Sequence, residues 1–490
     1  MDLNLITSAD YLRLTAGKTQ GMANLKPQLV AILAEPNTSH ANDIDTTPFQ
    51  PVTRGEVINR MGAGSPADLM FRYFERSTVP VVIFPQAYGT APAPTATQHE
   101  ITVSGTATEA TQIIMTIASR EFALDIAKGS TAAEVAQLIS DVAGAPTSSP
   151  VTGSANGVIA TLTTKWKGAT SAALKTTFKP APNTTMAGLT FTNVITLGTG
   201  TPDIAPALAE IEGKPFTLIV NPYGEAKFAE LENLIGYPSD ILNVGLWGAD
   251  VAEPCLAVSG SLVNDLASAK LLTDTEARKT QPANTVIAAP GTEWFPFEAA
   301  ASGASMFAQV ANSQPHRGII GLSLPHCPPP VNGVGDFATI GGRDAIAKAG
   351  HSTAEWVNGR MVVTDFVTTF HPDGVPDPKF RNSRDVMVMI NIMYALKHLQ
   401  ESYRGLVVTA EDTPVLAPNV ITTAAVRADF GALLWDLGKA ALIATPANSE
   451  ENMSVSINPA RRINMSAPAE LTSEIKQTNA TVGVTYFVSI

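Results

Sequence analysis

Cysteine, charge and long apolar runs are all scarce in this chain of 490 residues. Its two cysteines, Cys255 and Cys327, cannot build a disulfide framework, and the absence of any CxxC pair argues against a zinc ribbon. No run of about 20 apolar residues is present, which argues against a membrane-spanning helix. The opening residues MDLNLI lack the basic segment and apolar run of a secretory signal. We therefore expect synthesis in the cytoplasm and no insertion into a membrane.

Charged residues make up only 16% of the chain, against about 25% in a typical globular protein. The 32 lysines and arginines are outnumbered by 44 aspartates and glutamates, which gives a net charge of −12. An acidic chain lacks the basic surface of a general nucleic-acid binder, so no nucleic-acid partner is expected. A surface poor in charge is easily dehydrated, and this favours extensive packing against other protein chains.

Motifs that would identify an enzyme are missing. The sequence contains no GxxxxGK[ST], GxSxG or HExxH. His316, His326 and Cys327 lie near one another in a segment punctuated by prolines, which favours a loop over a metal site. His371 opens an HPDG sequence that is typical of a turn. We expect no enzymatic activity, no metal and no cofactor. The alternative is an α/β enzyme, hydrolase-like, with His316, His326 and His371 as the first candidates for catalysis.

Apolar periodicity predicts a multidomain α+β/α/β protein, because strands alternate with helices in two separated stretches. Between these stretches the composition shifts to Thr, Ala, Ser and Gly after the linker-like APAP sequence. The predicted organisation is an N-terminal arm at 1–27, a discontinuous α/β core domain at 28–94 and 199–355, an inserted β-rich peripheral domain at 95–198, a C-terminal α+β domain at 356–480, and a C-terminal arm strand at 481–490.

Individual elements follow from local pattern. Buried strands are predicted at Gln28–Leu33 and Val79–Phe84, and Ser65 is predicted to cap a helix that begins at Pro66. Further predictions are a helix at Ser261–Leu272, a long loop at 313–352 in which Arg343 and Asp344 could start a helix after two glycines, a strand at Met361–Phe370, a long helix at Arg384–Arg404 and another at Thr423–Ile443.

The last ten residues have the pattern of a regular amphipathic strand. Apolar side chains occupy every second position, at Val482, Val484, Tyr486, Val488 and Ile490. A strand at a chain end must find a sheet edge, either in its own domain or in a neighbouring molecule. The sequence alone leaves both alternatives open.

Several segments together resemble the contractile tail sheath proteins of myoviruses, most closely the Mu-like sheaths. The resemblance extends over nearly the full chain, although the first residues match least well. The segments that carry it are QLVAIL, SPADLMFRYFERSTVPVVIFPQ, GSTAAEVAQLISDV, VIATLTTKWKGATSAAL, FTLIVNPY, RDVMVMINIMYALKHLQESYRG and INPARRINMSAPAEL.

This resemblance implies a structural subunit of the virion tail, without cofactor or catalysis. Such subunits assemble with themselves as six-membered rings, stacked helically around a tail tube protein, and they also meet baseplate and tail terminator proteins. Terminal arms lend strands to a neighbour's C-terminal domain, and contraction drives the tube through the host envelope. By the same analogy, Lys397, His398 and Arg404 on the long helix are candidates to face the tube. A sheath of a bacterial contractile injection system is an alternative origin.

Overall fold

A computed structural model describes residues 25–41, 44–89, 93–237, 245–248, 251–375, 379–409, 418–457 and 463–474. The strands in chain order are β1 Val30–Ala34, β2 Val81–Pro85, β3 Gln98–Ser104, β4 Thr111–Ile117, β5 Arg120–Ile126, β6 Val151–Asn156, β7 Ile159–Thr164, β8 Thr176–Pro180, β9 Thr190–Thr196, β10 Leu218–Val220, β11 Leu256–Ser261, β12 Asn284–Ala288, β13 Thr353–Val357, β14 Arg360–Asp365, β15 Val407–Thr409, β16 Val420–Thr422, β17 Ser454–Ile457 and β18 Ile463–Ser466. The helices are α1 Arg54–Met61, α2 Pro66–Phe71, α3 Ala132–Gly144, α4 Ala205–Ile211, α5 Phe228–Ile235, α6 Leu266–Thr273, α7 Glu276–Lys279, α8 Pro296–Ser313, α9 Ile340–Lys348, α10 Ser383–Ser402, α11 Thr423–Lys439 and α12 Pro446–Glu451.

A five-stranded parallel sheet with the order β12-β11-β10-β1-β2 lies at the centre of the molecule. β1 reads VAILA and is buried at every position, as expected for a strand covered by helices on both faces. Helix α8 packs closely on β11, since a Cβ added at Gly260 would lie only 1.9 Å from the Pro296 carbonyl oxygen. The expected mixed α/β class is therefore present, and the sheet takes strands from both sides of residues 98–196.

Residues 98–196 form two antiparallel sheets, ordered β6-β7-β3-β9 and β5-β4-β8. Helix α3 packs against β6 and begins with a capping box in which Thr131 and Glu134 bond reciprocally. The apolar pattern of the sequence predicts five of these strands and the helix. The predicted strands are Ile101–Val103, Ile113–Ile117, Phe122–Ile126, Val158–Leu162 and Leu189–Ile195, and the predicted helix is Thr131–Val142. β6 and β8 were not predicted, because their sequences VTGSAN and TTFKP carry no apolar run.

The C-terminal part is built on helices α10 and α11. Their apolar faces meet in a second hydrophobic cluster that includes Val388, Phe430 and Leu434. Three two-stranded sheets accompany them, of which β13–β14 and β17–β18 are antiparallel and β15–β16 is parallel. No helix in the described ranges is long and apolar enough to cross a bilayer.

The predicted helix at Ser261–Leu272 is wrong in its first turn. Ser261 is the last residue of β11, and helix α6 begins only at Leu266. The boundary is set by Asp265, whose side chain accepts a hydrogen bond from the Ser268 amide and caps the helix. The apolar pattern of LAVSGSLV is compatible with a strand or a helix, so Asp265 was the residue that indicated where the helix begins.

Two further predictions are corrected between residues 313 and 370. The predicted loop contains helix α9, which begins at Ile340, so Gly341 and Gly342 lie inside the helix rather than before it. A Cβ at Gly342 would lie 1.9 Å from the Asp336 carbonyl oxygen, which explains why a glycine is placed there. The strand predicted to reach Phe370 ends at Asp365, beyond which the backbone leaves β13 for isolated bridges to other segments.

Candidate functional site

The predicted arm strand lies outside the described residues. This applies to Val482, Val484, Tyr486, Val488 and Ile490, and residues 1–24 are outside them as well. The structure does describe the point where each terminal segment joins the fold, at Leu25–Gln28 and at residues 470–474. Both junctions lie on helix α10.

The N-terminal junction is bonded to the middle of α10. Lys26 is buried, and its backbone amide donates to Asn391 Oδ1 at 3.0 Å. Asn391 Nδ2 in turn donates to the Met387 carbonyl at 2.9 Å, which holds the amide group in place. Leu25 packs on the hydrophobic cluster of the C-terminal part. Asn391 was not singled out from the sequence, although a lone amide within the apolar run MVMINIM was a signal for it.

A partly buried carboxylate, that of Glu253, pairs with two lysines at this junction. Glu253 Oε2 lies 2.7 Å from Lys26 Nζ, and Glu253 Oε1 lies 2.5 Å from Lys397 Nζ. Burial opposes the ionisation of Glu253, but the hydrogen bonds and charges of the two lysines outweigh it and hold the pKa of this carboxyl below its usual range. Lys397, a candidate to face a tube, is thus partly buried and already paired within the chain.

The other two candidates on this helix have different surroundings. The His398 ring packs edge-on against Tyr394 with centroids 4.3 Å apart, and its Nδ1 lies 3.6 Å from Glu401 Oε2. Arg404 follows the end of α10 and is exposed. The structure therefore does not gather Lys397, His398 and Arg404 on one exposed face, and their contact with a tube stays a prediction.

The C-terminal junction is held by Arg384 at the start of α10. This side chain is 3% exposed, and its Nε donates to the His316 carbonyl at 2.8 Å. Its Nη1 lies 2.7 Å from Asp385 Oδ1 and also donates to the Thr472 carbonyl, while Nη2 donates to Thr472 Oγ1. One guanidinium group therefore joins three separate segments of the chain.

Backbone bonds dock the same segment onto the turn after α11. The Ala444 amide donates to the Glu470 carbonyl at 2.7 Å, and the Thr472 amide donates to the Leu442 carbonyl at 3.3 Å. Thr472 Oγ1 also donates to the Ala441 carbonyl at 2.7 Å. Residues 470–474 are thus held as a short extended partner of 441–444, directly before the predicted arm.

A small open sheet lies beside these junctions. β17 and β18 pair in antiparallel register from Ser454–Ser466 to Ile457–Ile463. Val455 and Met465 face the hydrophobic cluster of α10 and α11. In the part of the chain that the structure describes, neither strand has a second partner. Packing against the helices stabilises this small sheet, and an edge strand is a template for pairing with another chain.

The crevice where open parallel sheets usually bind ligands is covered at the end of β1 and open beside β10 and β11. The order of the central sheet reverses between β1 and β10, and ligands bind at the carboxyl ends of such neighbouring strands. Glu35 follows β1 at that point and is 1% exposed. A Cβ at Gly168 would lie 3.2 Å from Glu35 Oε1, so the 98–196 region covers the end of β1. A pocket of about 490 Å³ lies at the ends of β10 and β11, and the residues that line it include Tyr223 and Ser261.

The histidines proposed for catalysis lie apart from one another. His371 borders a pocket of about 510 Å³. However, its Nδ1 lies 2.6 Å from the Thr369 carbonyl and its Nε2 lies 3.2 Å from Asp274 Oδ1, so both nitrogens are engaged. His316 and His326 are exposed. Within the described ranges, no three His, Cys, Asp or Glu side chains are grouped to hold a metal ion.

Cys255 and Cys327 are both free thiols. Burial raises the pKa of each to about 12, so neither is a thiolate at neutral pH.

No protein-family model matches the chain, and no curated protein matches it. One solved structure to which it is similar is a crystal structure of a sheath tail protein from Desulfitobacterium hafniense. The two chains share 11% sequence identity with a TM-score of 0.49, over 94% of this chain and 96% of the other. A similarity of this degree assigns no function to this chain.

Proposed function

We propose that this chain is the structural subunit of a contractile tail sheath. In this role it assembles as stacked hexameric rings around a tail tube and contracts to drive the tube through the host envelope. The observation that carries the proposal is the arrangement of the termini. Both terminal segments are anchored on one helix, α10, beside a sheet that has two strands in the described part of the chain, and the last ten residues have the alternating pattern of an amphipathic strand.

This arrangement supports strand exchange between subunits. Six residues, 475–480, separate Glu474 from the predicted strand, and an extended chain of that length spans at most about 25 Å. Strand donation therefore requires β17 or β18 of a neighbouring subunit to lie within that distance of Glu474. Main-chain hydrogen bonds would supply affinity, and the alternating apolar side chains would set the register.

Contraction requires subunits that reorient without losing their neighbours. Arms that stay paired while the folded parts move as rigid bodies meet this requirement, and two packings of the same subunits can differ by a modest free energy. The low proportion of charged residues, 16%, supports extensive contacts between subunits. The domain boundaries inferred from the sequence, with 95–198 as an inserted peripheral domain, belong to this proposal.

Deletion of residues 481–490 tests the proposal. We expect the truncated chain to fold and to remain monomeric, because its anchored core is intact while the donated strand is missing. Assembly is measured by negative-stain electron microscopy and sedimentation, and folding by circular dichroism.

A matched pair of variants separates strand pairing from loss of length. Val484→Asp with Val488→Asp places charges on the apolar row and should abolish assembly. Thr485→Asp with Ser489→Asp places the same charges on the alternate row and should weaken it less. Normal tubes from the truncated chain would refute strand donation.

A further inference from the structure

We propose that Arg384 is a positioning residue that fixes where the C-terminal segment leaves the fold, and so directs the terminal strand toward a neighbouring subunit. This inference rests on the proposed function, but the contact itself is a feature of the single chain. It concerns a side chain whose role is independent of the amphipathic pattern at 481–490.

All three guanidinium nitrogens of Arg384 donate hydrogen bonds. Arg384 donates to the His316 carbonyl, to Asp385 and to both side-chain and backbone oxygens of Thr472. Arginine offers five donors in a fixed plane, whereas lysine offers a single flexible ammonium group. Because Arg384 is 3% exposed, these bonds are shielded from water. The contact is therefore specific to arginine and stable enough to anchor the chain.

Gly318 leaves space for the Glu474 side chain beside Arg384. A Cβ at Gly318 would lie 2.7 Å from Glu474 Oε2 and 3.3 Å from the Cβ of Arg384. The Glu474 carboxylate therefore lies against the bare backbone of Gly318, close to Arg384. A larger residue at position 318 would move the Glu474 carboxylate away from this position.

Anchoring matters for strand donation because ordering a flexible chain opposes binding. If residues 470–474 were released, they would have to be ordered again each time the strand pairs with a neighbour. An anchored segment also starts from a defined point and direction. Arg384 thus acts through the segment that it holds, without touching a partner itself.

The test is amide hydrogen exchange on the full chain carrying Arg384→Gln, combined with electron microscopy of tubes. We expect exchange at the Thr472 and Ala444 amides to accelerate by about tenfold or more, since bonds to a charged group are lost. Protection of the 386–400 segment should be retained, which shows that α10 is still folded. Arg427→Gln, an exposed arginine on α11, is the matched control and should change neither readout.

A second variant keeps the proposal testable if Arg384→Gln fails to fold. Thr472→Val leaves Arg384 in place but removes the hydroxyl that accepts a hydrogen bond from its Nη2, and it should loosen the same two amides and reduce tube formation. Unchanged exchange in both variants would overturn the anchor, and faster exchange with normal tubes would overturn its role in assembly. If the unmodified chain forms no tubes either with or without a tail tube protein, the proposed function fails, whereas exchange at Thr472 still decides whether Arg384 anchors the segment.

Discussion

The stability of the fold should fall as pH rises through the neutral range, because Glu35 is buried as a neutral acid. Burial raises its pKa from the usual 4.5 to about 8. Neither carboxyl oxygen has a hydrogen-bond partner among the residues that the structure describes, and the neighbouring Tyr223 hydroxyl is likewise without one there. The nearby Tyr223 and Thr170 side chains favour the ionised form, but burial outweighs them and the pKa stays raised.

The sign and size of the effect follow from linkage. Between pH 4.5 and about 8, folded Glu35 keeps a proton that the unfolded chain has already lost. Each pH unit in this window lowers the free energy of unfolding by about 1.4 kcal/mol, and the whole window lowers it by on the order of 5 kcal/mol. Above pH 8 the penalty is complete and no longer changes with pH.

The assay is urea unfolding, followed by tryptophan fluorescence, of the unmodified chain and of E35Q at a series of pH values from 5 to 9. The glutamine variant cannot ionise, so its free energy of unfolding relative to the unmodified chain should rise with pH and level off near pH 8. Glu232, with a pKa raised by burial to about 7, provides the control, since the difference for E232Q should level off about one unit earlier. A stability difference for E35Q that is the same at pH 5 and pH 9 would refute the reasoning.

Two further predictions concern the charged side chains of Arg120 and Arg404. Arg120→Gln should lower the free energy of unfolding by about 2 kcal/mol, because its guanidinium lies 2.9 Å from the fully buried Glu298 carboxylate and ties the β4–β5 hairpin to α8. Urea unfolding measures this, and Lys179→Gln, whose partner is exposed, should change it by less than about 1 kcal/mol. Arg404→Glu should weaken co-sedimentation with tail tube protein and leave assembly of the chain with itself unchanged. Equal losses of stability from Arg120→Gln and Lys179→Gln would contradict the first prediction. Unchanged binding of Arg404→Glu to the tube protein would contradict the second.

Elements with a strong local signal could be predicted from the sequence. The apolar runs at β1 and β2 predicted buried strands, and Ser65 predicted a helix start that the structure confirms as an N-cap. Strands without such a run were missed. β6, for example, contains Gly153 because a Cβ there would lie 2.2 Å from the Ser140 carbonyl oxygen, a demand that arises only in the folded chain.

One part of the proposed site has a local signal in the sequence. The alternation at 481–490 predicts an amphipathic strand, and this stays a prediction because it lies outside the described residues. The anchoring contacts join residues far apart in the chain, such as Arg384 with Thr472 and Lys26 with Asn391. A single polar residue in an apolar helix indicates that it has a partner but does not identify the partner. These contacts therefore required the structure.

The most direct measurement of the central claim is negative-stain electron microscopy of the purified full chain over a range of concentrations, with and without a tail tube protein. The account predicts hollow tubes of uniform width or stacked rings with six-fold symmetry. Small monodisperse particles at every concentration, in the presence of the tube protein as well as in its absence, would contradict it.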